Sequence, residues 1–440
     1  MLHWLVLLIA LWSFSACSAE KTAPSQKKEK WTAAGLGDAA KPNAMAPHDS
    51  AAKKQKSVPV SQKATDLAGK HGWTMFRGNR RRTGAADVAG PTTANLKWVF
   101  RTGGRIYADA AVSTDGQTVY VASHDHSLYA VDTDGRKKWS FDTGGKIWTS
   151  PAISDDGRQI YVGSDEDALF ALSSNGKMNW KFVTRERPQK GEAKPEAGRF
   201  DVDTSPLLLD DGTIVFGCHL KLIALRPAAG DLRWAFAAGV GSAKVFSSAA
   251  QSLDGTIFFG TQGDYFFAIN HASNVLWSKQ TGGDNDSTPV VDIDGTVYFA
   301  SDDGIVRSVA SGNVQKWQVK LGSAIRAPLG LSTHGTLYVS TYGPTPFVAA
   351  LDKNTGKEKW RFHIEPGIGD FYGIQSGVTT DSAGRVYFGG RDGYVYCLDS
   401  SGKLIWKHRT DDQVDASPVL GPDGTLYIGS DDGRLYAFAR

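Results

Sequence analysis

The sequence predicts an all-β fold, an eight-bladed β-propeller of four-stranded antiparallel blades. Three observations carry this prediction. Tryptophan recurs as Trp98, Trp139, Trp180, Trp234, Trp277, Trp317, Trp360 and Trp406, at spacings of 41, 41, 54, 43, 40, 43 and 46 residues, in similar contexts such as KWVF, KWSF, RWAF and KWRF. Before each Trp after the first lies a stereotyped stretch; with a last one past Trp406, eight such stretches open near Asp115, Asp156, Asp211, Asp254, Asp294, His334, Ala383 and Asp423, six of them with Asp-Gly. Helix-period patterning is absent, while 49 glycines and 11% aromatics suit short strands joined by tight turns. A unit of four short strands repeating at this period is a propeller blade.

The elements follow in order. An inner strand resembles TSPAI (149–153). An Asp-Gly hairpin turn follows, with both residues expected at positive φ. A second strand resembles TVYVAS, and an SDDG-type turn leads to a third resembling RLYAF. A glycine turn such as SSGK then leads to the outer, Trp-bearing strand. The Trp-Asp pair of WD-type propellers is missing, because each repeat Trp precedes Val, Ser, Lys, Ala, Gln or Arg. Eight hairpins are followed by only seven Trp strands; the remaining Trp, in LKWVF (96–100), comes ahead of the first hairpin. The segment 96–103 is therefore expected to form the outer strand of the last blade, beside residues 434–439. Without it that strand would be an open edge, a template for aggregation. Each Trp buries up to about 200 Å², an upper bound near 5 kcal/mol at ~25 cal/mol/Å².

The front of the chain reads as a targeting segment and a tether. MLHWLVLLIALWSFSAC (1–17) has an apolar run from Trp4 to Phe14, short for a membrane span, and reads as a signal peptide. SFSAC resembles a bacterial lipobox, which implies lipidation of Cys17, and Ser18 after it implies the outer membrane. Secretory cleavage after Ala19 is the alternative. Residues 18–70 are rich in Ala, Lys, Ser and Pro and are expected to be a disordered tether. They hold ten lysines against five acids, leaving 39 basic and 41 acidic residues for the lead-in segment (71–95) and propeller (96–440). The body thus lacks the basic balance that nucleic-acid binding needs. Three cysteines with no CxxC or adjacent pair argue against a zinc site, c-type haem or disulfide framework, and Cys218 and Cys397 are expected to be buried thiols.

The units resemble the Trp-docking repeats of pyrroloquinoline-quinone (PQQ)-type propellers, with ALDKNTGKEKW (350–360) nearest the family pattern. WTMFRGNRRRTG (73–84) resembles the lead-in found ahead of such propellers, through Trp73, Phe76, Arg77, Gly78, Asn79, Thr83 and Gly84. The resemblance covers 73–440 and implies the fold; the superfold hosts unrelated roles. The chain is also similar to the propeller lipoprotein of the outer-membrane β-barrel assembly machinery, although its tether is long. That similarity implies a non-catalytic, lipid-anchored envelope protein: a monomeric, cofactor-free scaffold whose partners are other envelope proteins, including outer-membrane assembly components. The enzyme branch of the family implies a calcium-held PQQ, a catalytic Asp, a stacking Trp and, in many members, a disulfide between adjacent cysteines. Asp203, Asp286 and Asp415 are the acids that could serve there, and the adjacent cysteines are missing. A surface-exposed adhesion or ligand-binding module is a third reading.

Aligning the starts of the inner strands places Tyr107, Trp148, Asp203, Phe246, Asp286, Ile325, Ile374 and Asp415 at the channel mouth, with Arg326 one step further in and Asp109 beyond it. Converging carboxylates could bind a cation or polarise a ligand. The plainer expectation is that each Asp accepts nearby backbone N–H groups. SHDHS (123–127) reads as a solvated turn, and the acids of the other second turns as turn-capping groups. The Arg cluster 77–82 could hold an anion, but the lead-in pattern implies packing against the propeller. Two enlarged connections, 184–203 and 363–373, read as surface insertions or as contact loops at the mouth.

Overall fold

The computed structural model describes residues 73–184, 200–238, 244–367 and 372–440. Cys17, the signal segment 1–17 and the tether 18–70 lie outside the described residues, as do 185–199 of the long insert. No helix among the described residues is long and apolar enough to cross a membrane.

Eight separate four-stranded sheets form the blades. Blade 1 runs Ala111–Val112, Thr118–Ala122, Ser127–Asp132 and Lys137–Asp142. The last blade is completed from the front of the chain: Leu96–Arg101 pairs antiparallel with Arg434–Phe438, setting Trp98 opposite Ala437 and Val99 opposite Tyr436. The closure expected from the unequal count of hairpins and Trp strands is therefore present.

Burial follows from stacking the blades. The second strand of blade 1, TVYVA, is buried at every position, because neighbouring blades cover both its faces. The outer strands alternate exposed and partly buried residues, as a half-covered sheet edge should. Hydrophobic clusters span adjacent blades; one joins Tyr120, Leu128 and Ala130 of blade 1 to Ile160, Val162 and Phe170 of blade 2.

Three expectations need correction. The inner strands are ladders of only two residues, such as Ala152–Ile153, rather than the five of TSPAI. Pro151 has no N–H to give, and Ser150 N–H turns instead to Ser205 Oγ of the next blade at 2.9 Å. In the Asp-Gly turns only the glycine has positive φ, as at Gly116 (72°). Asp115 instead uses its carboxylate to accept the Gln117 N–H at 3.0 Å. Full burial of the repeat tryptophans is reached by Trp406 alone, at 8% exposure. Trp98, Trp139, Trp180, Trp234, Trp277, Trp317 and Trp360 are half-buried, because each sits on an outer strand whose far side faces solvent.

The repeat tryptophans tie each blade to the next. The indole N–H of Trp98 donates to Thr133 O (2.8 Å), that of Trp139 to Ser174 O (3.0 Å), and that of Trp180 to Pro227 O (3.0 Å). Trp234 donates to His271 O (2.9 Å), Trp317 to Lys353 O (3.0 Å) and Trp360 to Ser400 O (2.9 Å). Each acceptor lies in the third-to-outer turn of the following blade. Glycine is required where the ring lies flat on that turn: a Cβ on Gly176 (φ 84°) would stand 2.6 Å from Trp139, and one on Gly230 (φ 72°) 2.6 Å from Trp180. Trp277 meets a different turn. Asn313 (φ 66°) occupies the glycine position there, and the ring packs on Phe258 and Phe266 of its own blade, with centroids 5.9 Å apart in both pairs. Trp406 has no following turn to meet, since the last blade takes its outer strand from elsewhere. Pro91 of the lead-in supplies the carbonyl, at 3.3 Å.

The lead-in seals one end of the channel. Backbone carbonyls of Trp73, Thr74, Arg80, Arg81, Thr83 and Gly84 accept the N–H groups of Val112, Ile153, Gln251, Val291, Leu331 and Thr380, in the inner strands of blades 1, 2, 4, 5, 6 and 7. Arg80 Nε reaches Leu208 O of blade 3 at 2.7 Å. Arg77 and Arg82 are fully buried and, like the tight turns here, sit at φ 58° and 60°. Arg82 donates to Ala249 O (2.9 Å), Phe76 O (2.7 Å) and Pro206 O (3.1 Å); Arg77 donates to Val378 O and to Thr379 Oγ1 (3.2 Å). The guanidiniums are thus engaged by backbone carbonyls.

Candidate functional site

Above the lead-in lies a central cavity of about 290 Å³. Its lining includes Tyr107, Asp109, Trp148, Asp203, Asp286, Arg326 and Asp415, seven of the channel residues singled out from the sequence. Phe76 of the lead-in also lines it, with Phe246, Gln262 and Gln375.

The lining is built in two layers. Ile106, Ile147, Val202, Val245, Asn285, Ile325, Ile374 and Val414 form a buried ring at the start of the inner strands. The next residue in each blade belongs to the upper layer: Tyr107, Trp148, Asp203, Phe246, Asp286, Arg326, Gln375 and Asp415. Ile325 and Ile374, expected at the mouth, are core residues instead. The connections differ in length, and the sequence alignment slipped by one in blades 6 and 7. Two residues further on lies the lower layer, dominated by hydroxyls. Asp109 N–H donates to Ser150 Oγ (3.0 Å), Ser205 N–H to Ser248 Oγ (3.0 Å), Gly377 N–H to Ser417 Oγ (2.9 Å), and Ser417 N–H to Asp109 Oδ1 (2.6 Å). Asp109 therefore stands where five of the other blades carry Ser or Thr (Ser150, Ser205, Ser248, Thr288 and Ser417). One oxygen makes the blade-to-blade link; Oδ2 is buried without a hydrogen-bond partner.

The mouth is also shaped by the turns between second and third strands. Asp302 holds Arg326 through both carboxylate oxygens, at 2.6–3.1 Å. Arg391 grips Asp415 at 2.8 and 2.9 Å. Asp165 accepts the Trp148 indole N–H at 2.9 Å. His124 is not in a solvated turn as expected. Its ring lies 4.0 Å from Trp148 and 6.2 Å from Tyr107, and burial, with Lys146 and Arg105 nearby, pushes its pKa down to about 4. One carboxylate oxygen each from Asp165, Asp201 and Asp203 lies within 4.8 Å of the others, the only metal-spaced group of His, Cys or acids among the described residues. Cys218 and Cys397 are free and buried, and burial pushes both thiols up to about 12.

Burial raises the acids in and beside the cavity. Asp109, Asp203 and Asp286 stand at about 6 and Asp201 at about 7; for Asp201, Asp165 and Asp203 add repulsion, and for Asp286, Asp284 and Asp302 do so. A carboxyl raised in this way binds its proton more tightly folded than unfolded, so its effect on stability turns unfavourable as pH rises from about 4 to about 7. The double variant Asp203→Asn/Asp286→Asn is expected to be more stable than the parent by about 2 kcal/mol near neutral pH and equal to it near pH 4. Chemical denaturation at both pH values checks this; a difference that does not change with pH contradicts it.

A family model described as outer membrane protein assembly factor BamB matches residues 63–281, 156–345 and 345–440. The chain belongs to this family. BamB of Burkholderia pseudomallei (strain K96243) is 25% identical over 126 residues, 28% of this chain and 30% of that protein. The serine/threonine-protein kinase AfsK of Streptomyces griseus is 27% identical over 166 residues, 35% of this chain and 20% of the kinase. The chain thus spans less than a third of either curated relative. Among solved structures, BamB from Moraxella catarrhalis superposes with a TM-score of 0.62 at 17% identity, over 78% of this chain and 98% of that one. A europium-containing methanol dehydrogenase superposes at 0.69 with 15% identity, over 86% and 100%. These likenesses establish the fold, which BamB proteins share with dehydrogenases.

Proposed function

We propose that this BamB-family chain is a non-catalytic, lipid-anchored scaffold of the cell envelope, on the periplasmic side or the cell surface, whose propeller binds other proteins in outer-membrane protein assembly. The supporting observation is the family match, which runs from residue 63 to the C-terminus. The architecture suits the role. One end of the channel is sealed by the lead-in, so the opposite mouth is the face free to engage a partner. Lipid attachment rests on Cys17.

The dehydrogenase reading fits the residues less well. A PQQ site with calcium needs clustered carboxylates on the cavity wall, and of the metal-spaced group Asp165, Asp201 and Asp203 only Asp203 lines the cavity. The adjacent cysteines that the resemblance implies are missing from the sequence.

The test is affinity capture of the full-length chain from detergent-solubilised envelopes, with a Cys17→Ser variant alongside. Recovery of β-barrel assembly components is expected, with the variant lost from the membrane fraction. Dye-coupled alcohol oxidation after reconstitution with PQQ and Ca²⁺ would overturn the scaffold reading. Capture of surface glycans or host ligands in place of assembly components would favour an adhesion module.

A further inference from the structure

We propose that the central cavity is a receptor for an organic cation, an alkylammonium or guanidinium group held among Asp109, Asp203 and Asp286 against the aromatic walls of Trp148 and Phe246. This goes beyond the scaffold role and does not depend on it.

The two halves of the upper layer differ in how their charges are matched. In blades 6 to 8 the pairs are already made: Arg326 is held by Asp302 at 2.6 Å and Arg391 by Asp415 at 2.8 Å, with both guanidiniums near the Tyr342 ring at 4.6 and 5.5 Å. Blades 1 to 5 carry aromatic rings and acids instead. Among the described residues, no Lys or Arg lies within 4 Å of the carboxylates of Asp109, Asp203 or Asp286. Asp109 is only 3% exposed, and its Oδ2 has no hydrogen-bond partner; Asp286 Oδ1, on the opposite side of the ring, is likewise buried and unpartnered. A buried carboxylate oxygen without a donor is costly, and the cost falls when a donor arrives. Arg77 and Arg82 lie near Asp109 but direct their N–H groups to backbone carbonyls.

The chemistry of the ligand follows from spacing. Asp109, Asp203 and Asp286 do not share the close oxygen cluster that a metal ion needs, which among the described residues only Asp165, Asp201 and Asp203 achieve. Acids on blades 1, 3 and 5 suit a longer cation with more than one donor. Trp148 and Phe246 are each 36% exposed at the mouth, where an aliphatic stem would cover them. The protein already makes one such contact with its own chain, the Lys244 ammonium lying 5.6 Å from the Phe246 ring centroid. Free diamines and the Lys or Arg side chain of a bound protein share this chemistry.

Titration of the full-length chain by calorimetry and tryptophan fluorescence tests the proposal. The probes are cadaverine, spermidine, and lysine and arginine capped at both ends as N-acetyl methylamides, with 1,5-pentanediol as the uncharged control. At least one cation is expected to bind saturably at one site per chain, the diol not at all. Asp203→Asn and Asp286→Asn should each weaken binding tenfold or more, while Asp134→Asn, in an exposed turn, leaves it unchanged; thermal melts confirm that each variant is folded. Binding of diamines alone assigns a free ligand, and binding of a capped residue assigns a partner's side chain. No saturable binding to the parent, or equal affinity in the cavity variants and Asp134→Asn, overturns the proposal.

Discussion

Deleting residues 96–103 is expected to abolish cooperative folding, whereas deleting 18–70 leaves the melting temperature unchanged. The short segment carries the outer strand of the last blade, with five registered partners from Leu96↔Phe438 to Arg101↔Arg434. It also carries Trp98, whose ring covers Gly135 and whose N–H ties the last blade to the first. Its loss exposes one edge of Arg434–Phe438 and opens the ring at the same place. Differential scanning calorimetry of the two deletions decides the matter, and equal melting temperatures would falsify closure as the source of stability.

The second large effect is expected at the sealed end. Arg77→Ala and Arg82→Ala should each lower stability by about 3–5 kcal/mol, the usual cost of breaking a buried, hydrogen-bonded charge. Arg82 gathers carbonyls from Ala249, Phe76 and Pro206, in two blades and the lead-in itself, and all would be left without donors. Burial holds these guanidiniums down to about 10 for Arg77 and about 9 for Arg82, with Asp109 the nearby charge opposing the shift. Lysine cannot substitute, because a single ammonium does not reproduce the planar fork of donors. Arg136, 76% exposed at its side chain, is the control; its replacement by Ala should change stability by less than about 0.5 kcal/mol. Urea unfolding of the three variants checks the ranking, and a loss under about 1 kcal/mol at both buried sites contradicts it.

The ring was readable from the sequence because a blade cannot hide its period. Trp at near-constant spacing and turns rich in Asp-Gly announce each unit, and the mismatch between hairpins and Trp strands identifies the closing segment. How each Trp is seated was less readable. Trp180, Trp234 and Trp317 dock on the next blade through a carbonyl that any residue can supply, and Trp234 does so over a turn with Ser273 where other blades carry glycine. The channel was only partly readable. Tyr107, Trp148, Asp203, Phe246, Asp286 and Asp415 followed from alignment, but Ile325 and Ile374 displaced Arg326 and Gln375 from the same ring. The preceding buried residue, apolar in every blade but the fifth, is a better anchor than the count from the last Trp, because the connections vary in length. His124 and Asp201 could not be recognised, since their environments come from neighbouring blades. The lead-in was expected to pack on the body, but its path from blade to blade depends on backbone carbonyls, which leave no trace in side-chain chemistry.

That path has a consequence for biogenesis. Residues 73–90 are made before any blade, yet their last partners, in the inner strand of blade 7, are about 300 residues away. The stopper must wait, unsatisfied, while the ring is synthesised around the place it will occupy. Acquisition of the native state is therefore tied to synthesis of the ring through to its last strand, Arg434–Phe438, which itself waits to pair with Leu96–Arg101.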